Sequence, residues 1–555
     1  MNHRIANGID AIAATFAGLA ALLMTSAAMA IDIPASTSAS GPSGPGIVFS
    51  ANTVDRGESV TRFYCNEHIG SCTISFECAT FDGQMHYEGS FAPVAARSAR
   101  EVETAEIMEA LSWEGGTGGL RCRVLSEQDS TVQQLRRHAD GRLDVTSGSV
   151  YSESAAIFDI SGVEIGRYQS ALIHSILSPN EATQSRWAEL SIFCQAPEGE
   201  DCGCSSADPT CEAKDQVRLR CSEDDGTVHD ALIGRIPRHA SLYLSQQTIA
   251  DLIDHRWEGR GLSCEFRSNH RISVEINDII DRRTFADQSA YMGEMPVDDP
   301  PPPLPIRAYA YAIPSSESRD QAELLMYCHD DHHHCPAWLE CSTQSGEVLG
   351  DRMSSVAGDS LRRADIEIPP RGMRRMSASE IEETITDGSW AGKGRLTCAI
   401  RSDKDIRAQV WMHSGDNPQL NNSWYIRSEE AQNSSGVYQV ARLHSIPSPS
   451  TPDLSNIRIH CTAAAGDRCS RLIVSCSEDD GTVHEGRLDS IGAGSIRHIK
   501  TDELDWILGH RWKGIGLACE VRSDRPFNLQ LLTRTGDDRL LLNGSAAVRA
   551  EKPSM

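Results

Sequence analysis

Four times along the 555-residue chain a tryptophan is followed by a glycine-rich turn, a leucine, and a cysteine flanked by alternating apolar residues. The phrase reads W-E-G-G-T-G-G-L-R-C-R-V from Trp113, W-E-G-R-G-L-S-C-E-F from Trp257, W-A-G-K-G-R-L-T-C-A-I from Trp390 and W-K-G-I-G-L-A-C-E-V from Trp512. A second phrase precedes each one, an alternating segment that ends in Cys78, Cys221, Cys341 or Cys476 and then turns. Repeats at such spacing imply stacked copies of one folding unit rather than one large core.

The copies are related in alternation. The second and fourth share C-S-E-D-D-G-T-V-H (Cys221 to His229, Cys476 to His484) and H-R-W-x-G-x-G-L-x-C-E-x-R-S (from His255 and His510), at one common offset. The first and third share their cysteine spacings, Cys65-Cys72-Cys78 and Cys328-Cys335-Cys341. The order A-B-A-B follows, as if a two-module unit had been duplicated. The expected boundaries are 47–150 (A), 165–291 (B), 306–427 (A) and 436–550 (B). Residues 31–46 form a Ser/Gly/Pro linker, and 292–305 a Pro-rich linker between the halves. Its proline run favours stiff polyproline II geometry. Ser428 to Gly436 reads as a shorter polar joint.

Each copy reads as all-β. Ile457, Ile459 and Cys461 alternate with polar residues, as do Leu472, Val474 and Cys476, then Leu517, Cys519 and Val521. Period-two alternation marks a half-buried strand. Asp82-Gly83, Asp225-Gly226 and Asp480-Gly481 suit tight turns that need positive φ. One short helix precedes each tryptophan, carried by Ile107 and Leu111, Ile249 and Ile253, Ile381 and Ile385, and Leu504 and Leu508. Ser377 with Glu380 fits a capping box. The fold class is therefore four tandem β-sandwich modules, each with one short helix.

Residues 1–30 read as a signal peptide: Arg4, an apolar run from Ala11 to Met24, and the small-x-small site Ala28-Met29-Ala30. No second long apolar run follows, so no transmembrane segment is expected. The chain is then exported, to the periplasm, the cell surface or the medium. In such a compartment its 18 cysteines imply disulfides. The spacing predicts Cys78 with Cys122, Cys65 with Cys72, Cys221 with Cys264, Cys341 with Cys398, Cys328 with Cys335, Cys476 with Cys519 and Cys461 with Cys469. It leaves Cys194, Cys202, Cys204 and Cys211 unassigned. Aromatic residues make up only 6% of the chain, so the cores are thin. Closing a loop of about 40 residues stabilises by roughly 4 kcal/mol on the chain-entropy model.

This pattern of strand, turn, short helix, Gly-rich turn and two strands resembles the tandem immunoglobulin-like β-sandwich repeats of bacterial exported and surface proteins. The resemblance implies a spacer, adhesion or ligand-display role. The tryptophan lies close before the last cysteine, unlike the immunoglobulin Cys…Trp…Cys order.

The net charge of −26 excludes a basic nucleic-acid groove. Enzyme signatures are missing: there is no H-E-x-x-H, no G-x-S-x-G and no phosphate-binding glycine loop. The chain is read as a non-enzyme without a cofactor, with an extracellular or envelope protein or a polysaccharide as partner. Two metal candidates stand beside that reading. His329-Asp330-Asp331-His332-His333-His334, between Cys328 and Cys335, has the ligand types of a zinc, copper or nickel site. Its ordinary alternative is a solvated polar loop. Glu223-Asp224-Asp225 and Glu478-Asp479-Asp480 have carboxylates that suit calcium, although the Asp-Gly turn explains part of each triplet. His229 and His484 are read as cross-strand surface residues, and the four tryptophans as core plugs. A hydrolase with a site assembled from distant residues is the remaining alternative.

Overall fold

The structure is a computed structural model that describes residues 47–549 apart from short internal stretches, the longest being 286–303 and 350–365. The expected signal peptide, the entry linker and most of the Pro-rich linker lie outside the described residues.

The described chain is all-β, with four short helices. Its four largest apolar cores are built from residues between Phe63 and Val132, Ala171 and Ile276, Ala308 and Met412, and Ala441 and Leu531. Two antiparallel sheets enclose each core. In the fourth unit one sheet runs Ile426–Arg427, Phe527–Arg534, Leu454–Cys461, Ile496–Lys500. The other runs Glu429–Asn433, Gly436–Ile446, Leu517–Ser523, Ile473–Ser477, Val483–Arg487. The second unit repeats both orders, from Val150–Tyr151 and Glu153–Phe158 onward.

Two boundaries therefore move. Glu153–Phe158 pairs with Glu164–Ile176, so the second unit begins near residue 150 rather than 165. Glu429–Asn433 pairs with Gly436–Ile446, so the polar stretch read as a joint is a hairpin inside the fourth unit.

The helices α1 (Thr104–Ala110), α2 (Gln246–Ile253), α3 (Ala378–Thr386) and α4 (Thr501–Leu508) each precede one of the repeated tryptophans. Ser377 and Glu380 cap α3 reciprocally: Glu380 N–H donates to Ser377 Oγ at 3.2 Å and Ser377 N–H to Glu380 Oε2 at 2.8 Å. Trp113, Trp257, Trp390 and Trp512 are buried. Trp257 Nε1 donates to Ile176 O at 2.9 Å and Trp512 Nε1 to Ile446 O at 3.0 Å, which satisfies the one polar atom an indole brings into a core.

The disulfides join Cys65–Cys72, Cys78–Cys122, Cys194–Cys202, Cys204–Cys211, Cys221–Cys264, Cys328–Cys335, Cys341–Cys398, Cys461–Cys469 and Cys476–Cys519. No free cysteine remains. The long bridges do not cross between sheets. Cys476 and Cys519 stand directly opposite each other on neighbouring strands of one sheet, and so do the other three long pairs. In antibody domains the bridge joins two sheets instead.

The units are not strung out in a line. Each presents the glycine turn of its disulfide hairpin to the next unit. A Cβ on Gly83 would meet Ala240 N at 2.9 Å, one on Gly226 would meet Pro370 O at 2.6 Å, and one on Gly346 would collide with Ser495 Oγ. The fourth turn returns to the first unit, where a Cβ on Gly481 would meet Ala96 O at 3.2 Å. All four glycines have positive φ, and only a residue without a side chain allows both that conformation and that approach. Backbone bonds repeat the same step: Met373 N–H donates to Asp224 O at 2.9 Å, Ile496 N–H to Gln344 O at 3.1 Å and Ala99 N–H to Asp479 O at 3.1 Å. A head-to-tail contact whose rotation closes makes a ring. The C-terminal strand Val548–Arg549 also pairs with Thr131 and Val132 of the first unit.

Candidate functional site

The acidic triplets of the second and fourth units split into three tasks. Asp225 accepts from Thr227 N–H at 2.8 Å, and Asp480 from Thr482 N–H at 2.8 Å, each closing its own turn. Asp224 reaches into the third unit, where Arg375 Nε lies 2.8 Å away, and Asp479 pairs with Arg62 of the first. The two Asp side chains of each triplet are thus engaged in turn and junction contacts, and Glu223 and Glu478 are left for a different grouping.

Glu223 ends the strand Val217–Glu223, two residues beyond Cys221, so alternation puts both side chains on one face. His229 stands opposite Cys221 on the hairpin's return strand, which brings its ring to the same face. His255 arrives from elsewhere. Asp254, at the C-terminus of α2, takes left-handed backbone (φ 51°) and turns the chain so that the next residue faces the hairpin. His229 Nε2 lies 3.1 Å and His255 Nε2 3.0 Å from Glu223 Oε1. The two imidazoles stack, with centroids 4.1 Å apart.

The fourth unit repeats this arrangement. Gly509 makes the left-handed turn after α4 (φ 62°). His484 Nε2 lies 3.2 Å and His510 Nε2 2.9 Å from Glu478 Oε1, and the rings stack at 3.7 Å. All six side chains are half-buried.

His255 Nε2 and His510 Nε2 are buried and have no hydrogen-bond partner, because neither meets its neighbouring carboxylate oxygen in hydrogen-bond geometry. Donors about 2.1 Å from a zinc ion in tetrahedral geometry are about 3.4 Å apart. The observed separations of 2.9 to 3.2 Å are close to that. Two histidines and one carboxylate make a divalent transition-metal set with an open position. Among the described residues these two clusters are the groups of three or more such side chains whose donor atoms converge. The first and third units carry Thr80 and Thr343 at the glutamate position, and Tyr87 and Leu349 opposite the disulfide cysteine.

No family model matches the chain. No curated protein matches it either. Among solved structures, a mutant VP2 protein of infectious bursal disease virus from T=1 particles is aligned at 8% identity over 69% of this chain and 77% of that one, with a TM-score of 0.10 that carries no argument about fold.

The His-rich loop is arranged differently. Asp330 accepts from the backbone N–H groups of His332 and His333, each at 2.9 Å, and from Lys404 Nζ at 3.2 Å. Asp331 is held by Arg371 Nε at 2.6 Å. His329 Nδ1 pairs with Asp405 at 2.9 Å, His333 leans on Asp330 and His334 on Glu367. His332, His333 and His334 are exposed. The loop's carboxylates thus serve its own turn and the contact with Arg371, and its imidazoles are directed to separate partners.

Sequence reasoning passed over His255 and His510 and placed His229 and His484 on the surface. The available signal was Glu, His and His at one common offset in two copies and in neither of the others.

Proposed function

We propose that this chain is an exported, non-enzymatic interaction or structural protein of four immunoglobulin-like modules in A-B-A-B order, and that each B module binds one divalent transition-metal ion. The observation that carries the metal reading is the duplicated cluster: Glu223, His229 and His255 recur as Glu478, His484 and His510 with separations that agree within about 0.1 Å. The disulfides fit an oxidising compartment. Among the described residues no helix is long and apolar enough to cross a membrane. The partner is an envelope or extracellular protein or a polysaccharide, and the ring is the surface it meets.

Zinc titration of the full chain with measurement of bound metal tests the reading. Two ions per chain are expected, one after His255→Ala, and none after His255→Ala with His510→Ala. Replacing His332, His333 and His334 by Ala should leave two. Stoichiometry that follows the loop histidines instead would transfer the site to the loop, and no bound metal in the unaltered chain would remove it.

A further inference from the structure

Between the third and fourth units lies a cavity of about 490 Å3. Five cationic side chains line it, Arg395, Arg458, Lys500, Arg511 and Arg534, against one acid, Asp502. In a chain of net charge −26 this is a local reversal of sign. Some of that charge is matched nearby: Asp320 pairs with Arg395 at 2.7 Å and with Arg534 at 3.3 Å, and Asp505 with Arg511 at 3.3 Å. Arg458 is different. It is 3% exposed, its one short contact is a neutral one, Nη1 to Gln530 Oε1 at 2.8 Å, and its Nε has no partner.

The junction between the first and second units shows what is missing. There Ser191 stands opposite Glu275 across the strand pair, and Arg121 of the first unit pairs with Glu275. The corresponding strand pair of the fourth unit places Arg458 opposite Gln530. The carboxylate has become an amide where a buried guanidinium faces the cavity. Burial disfavours its charge and Arg395 adds like-charge repulsion, which Asp320 opposes. A guanidinium does not escape by losing its proton, so an anion entering the cavity would supply the partner that Glu275 supplies to Arg121 at the other junction.

We propose that this cavity binds a small organic anion through an oxyanion group, carboxylate or phosphate, held by Arg458 at the base and Lys500 at the mouth. Pro449, Leu454 and Leu532 supply an apolar wall, and the volume falls in the range of small-molecule sites, roughly 300–1,000 Å3. Both features favour an organic molecule over a bare ion. Arg458 corresponds to no part of the metal clusters, so the two proposals stand or fall separately.

Isothermal titration of the full chain with citrate, glucuronate, glucose 6-phosphate and inorganic phosphate tests it. At least one organic probe should bind, more tightly than inorganic phosphate and less tightly as salt is raised. The choice between carboxylate and phosphate probes identifies the oxyanion. Gln530→Glu restores the carboxylate of the other junction, at the loss of the Gln530 Nε2 bond to Asn422 O (3.0 Å), and should weaken binding by about thirty-fold or more, with circular dichroism of the variant separating lost binding from lost fold. Lys500→Ala, at the exposed mouth, should weaken it a few-fold with no effect on folding. No binding of any organic probe at millimolar concentration, or binding that both variants leave unchanged, would overturn the proposal.

Discussion

Arg371→Met probes the contact between the second and third units. Arg371 Nη1 lies 3.1 Å from Glu265 of the second unit, and its Nε 2.6 Å from Asp331 of the third. Both side chains of the Arg371–Glu265 pair are buried, with side-chain exposures of 6% and 1%. Burial pushes the Glu265 carboxyl up, but Arg371 and Arg267 together pull it down to about 2. Set against an ordinary value of 4.5, that depression amounts to about 3 kcal/mol of stability at neutral pH. Removing one partner of a buried ion pair costs about 3–5 kcal/mol. Arg267 Nη2 still lies 2.7 Å from Glu265, so the lower end applies.

The expected loss is about 3 kcal/mol, or about 12 °C (roughly 4 °C per kcal/mol) in the transition of a unit of little more than 100 residues. Thermal unfolding measures it, and hydrogen exchange at Asp224 to Gly226 and Met373 to Ser377 localises it. The pH dependence supplies a second test. A depressed carboxyl contributes stability that is present above about 4.5 and lost as pH falls through about 2. In the variant that acid limb should flatten, because Glu265 no longer sits so low. A loss under about 1 kcal/mol with an unchanged acid limb would refute the reasoning.

Three further outcomes follow. His444, at the contact between the fourth and first units, packs on Tyr64 with centroids 4.2 Å apart, and burial with Arg442 and Arg62 lowers its imidazole to about 3. Its folded value is depressed, so ring closure should weaken as pH falls from about 6.5 toward 3, by up to about 1.4 kcal/mol per pH unit, and solution scattering across that range should show expansion. Gly226→Ala should destabilise clearly more than Gly199→Ala in thermal scans: both positions have positive φ and share a strain of about 1–2 kcal/mol, but only the first meets a neighbouring unit. Partial reduction with peptide mapping should open Cys204–Cys211 first, because those two residues are half-buried and the other sixteen disulfide cysteines are buried.

The all-β class was legible because period-two alternation places Ile457, Ile459 and Cys461, or Leu517, Cys519 and Val521, on the core side of a strand, and the structure buries all six. The helices were legible because Ile249 and Ile253, or Leu504 and Leu508, sit one turn apart just before a tryptophan. The ring was not. Positive φ at Gly83 or Gly481 follows from turn chemistry alone, so the sequence has no separate sign that another unit's backbone approaches from outside. The two Glu-His-His clusters were half legible. Glu and His flank the Asp-Gly turn by simple hairpin register, but His255 and His510 reach them only through the left-handed residue that ends each helix. The His-rich loop drew attention by composition, and composition does not say whether Asp331 faces an imidazole or an arginine.

The placement of the clusters ties the two levels of the molecule together. Each sits on the turn that makes the ring contact: Glu223 is adjacent to Asp224, whose carbonyl and carboxylate meet Met373 and Arg375 of the third unit, and Glu478 is adjacent to Asp479, whose carbonyl and carboxylate meet Ala99 and Arg62 of the first. The contacts from the first unit to the second and from the third to the fourth lack that neighbour, since Thr80 and Thr343 occupy the glutamate position. An ion bound by Glu223 and two histidines fixes the end of the strand and the start of the turn at once, and so lowers the entropy cost of presenting Asp224 to Arg375. Metal should therefore stiffen two of the four ring contacts, the ones made by the second and fourth units. Hydrogen exchange with and without zinc reads this directly. Added protection at Met373 and Ala99, with none at Ala240 and Ile496, is the pattern the geometry requires, and protection spread evenly over all four would separate the ion from the ring.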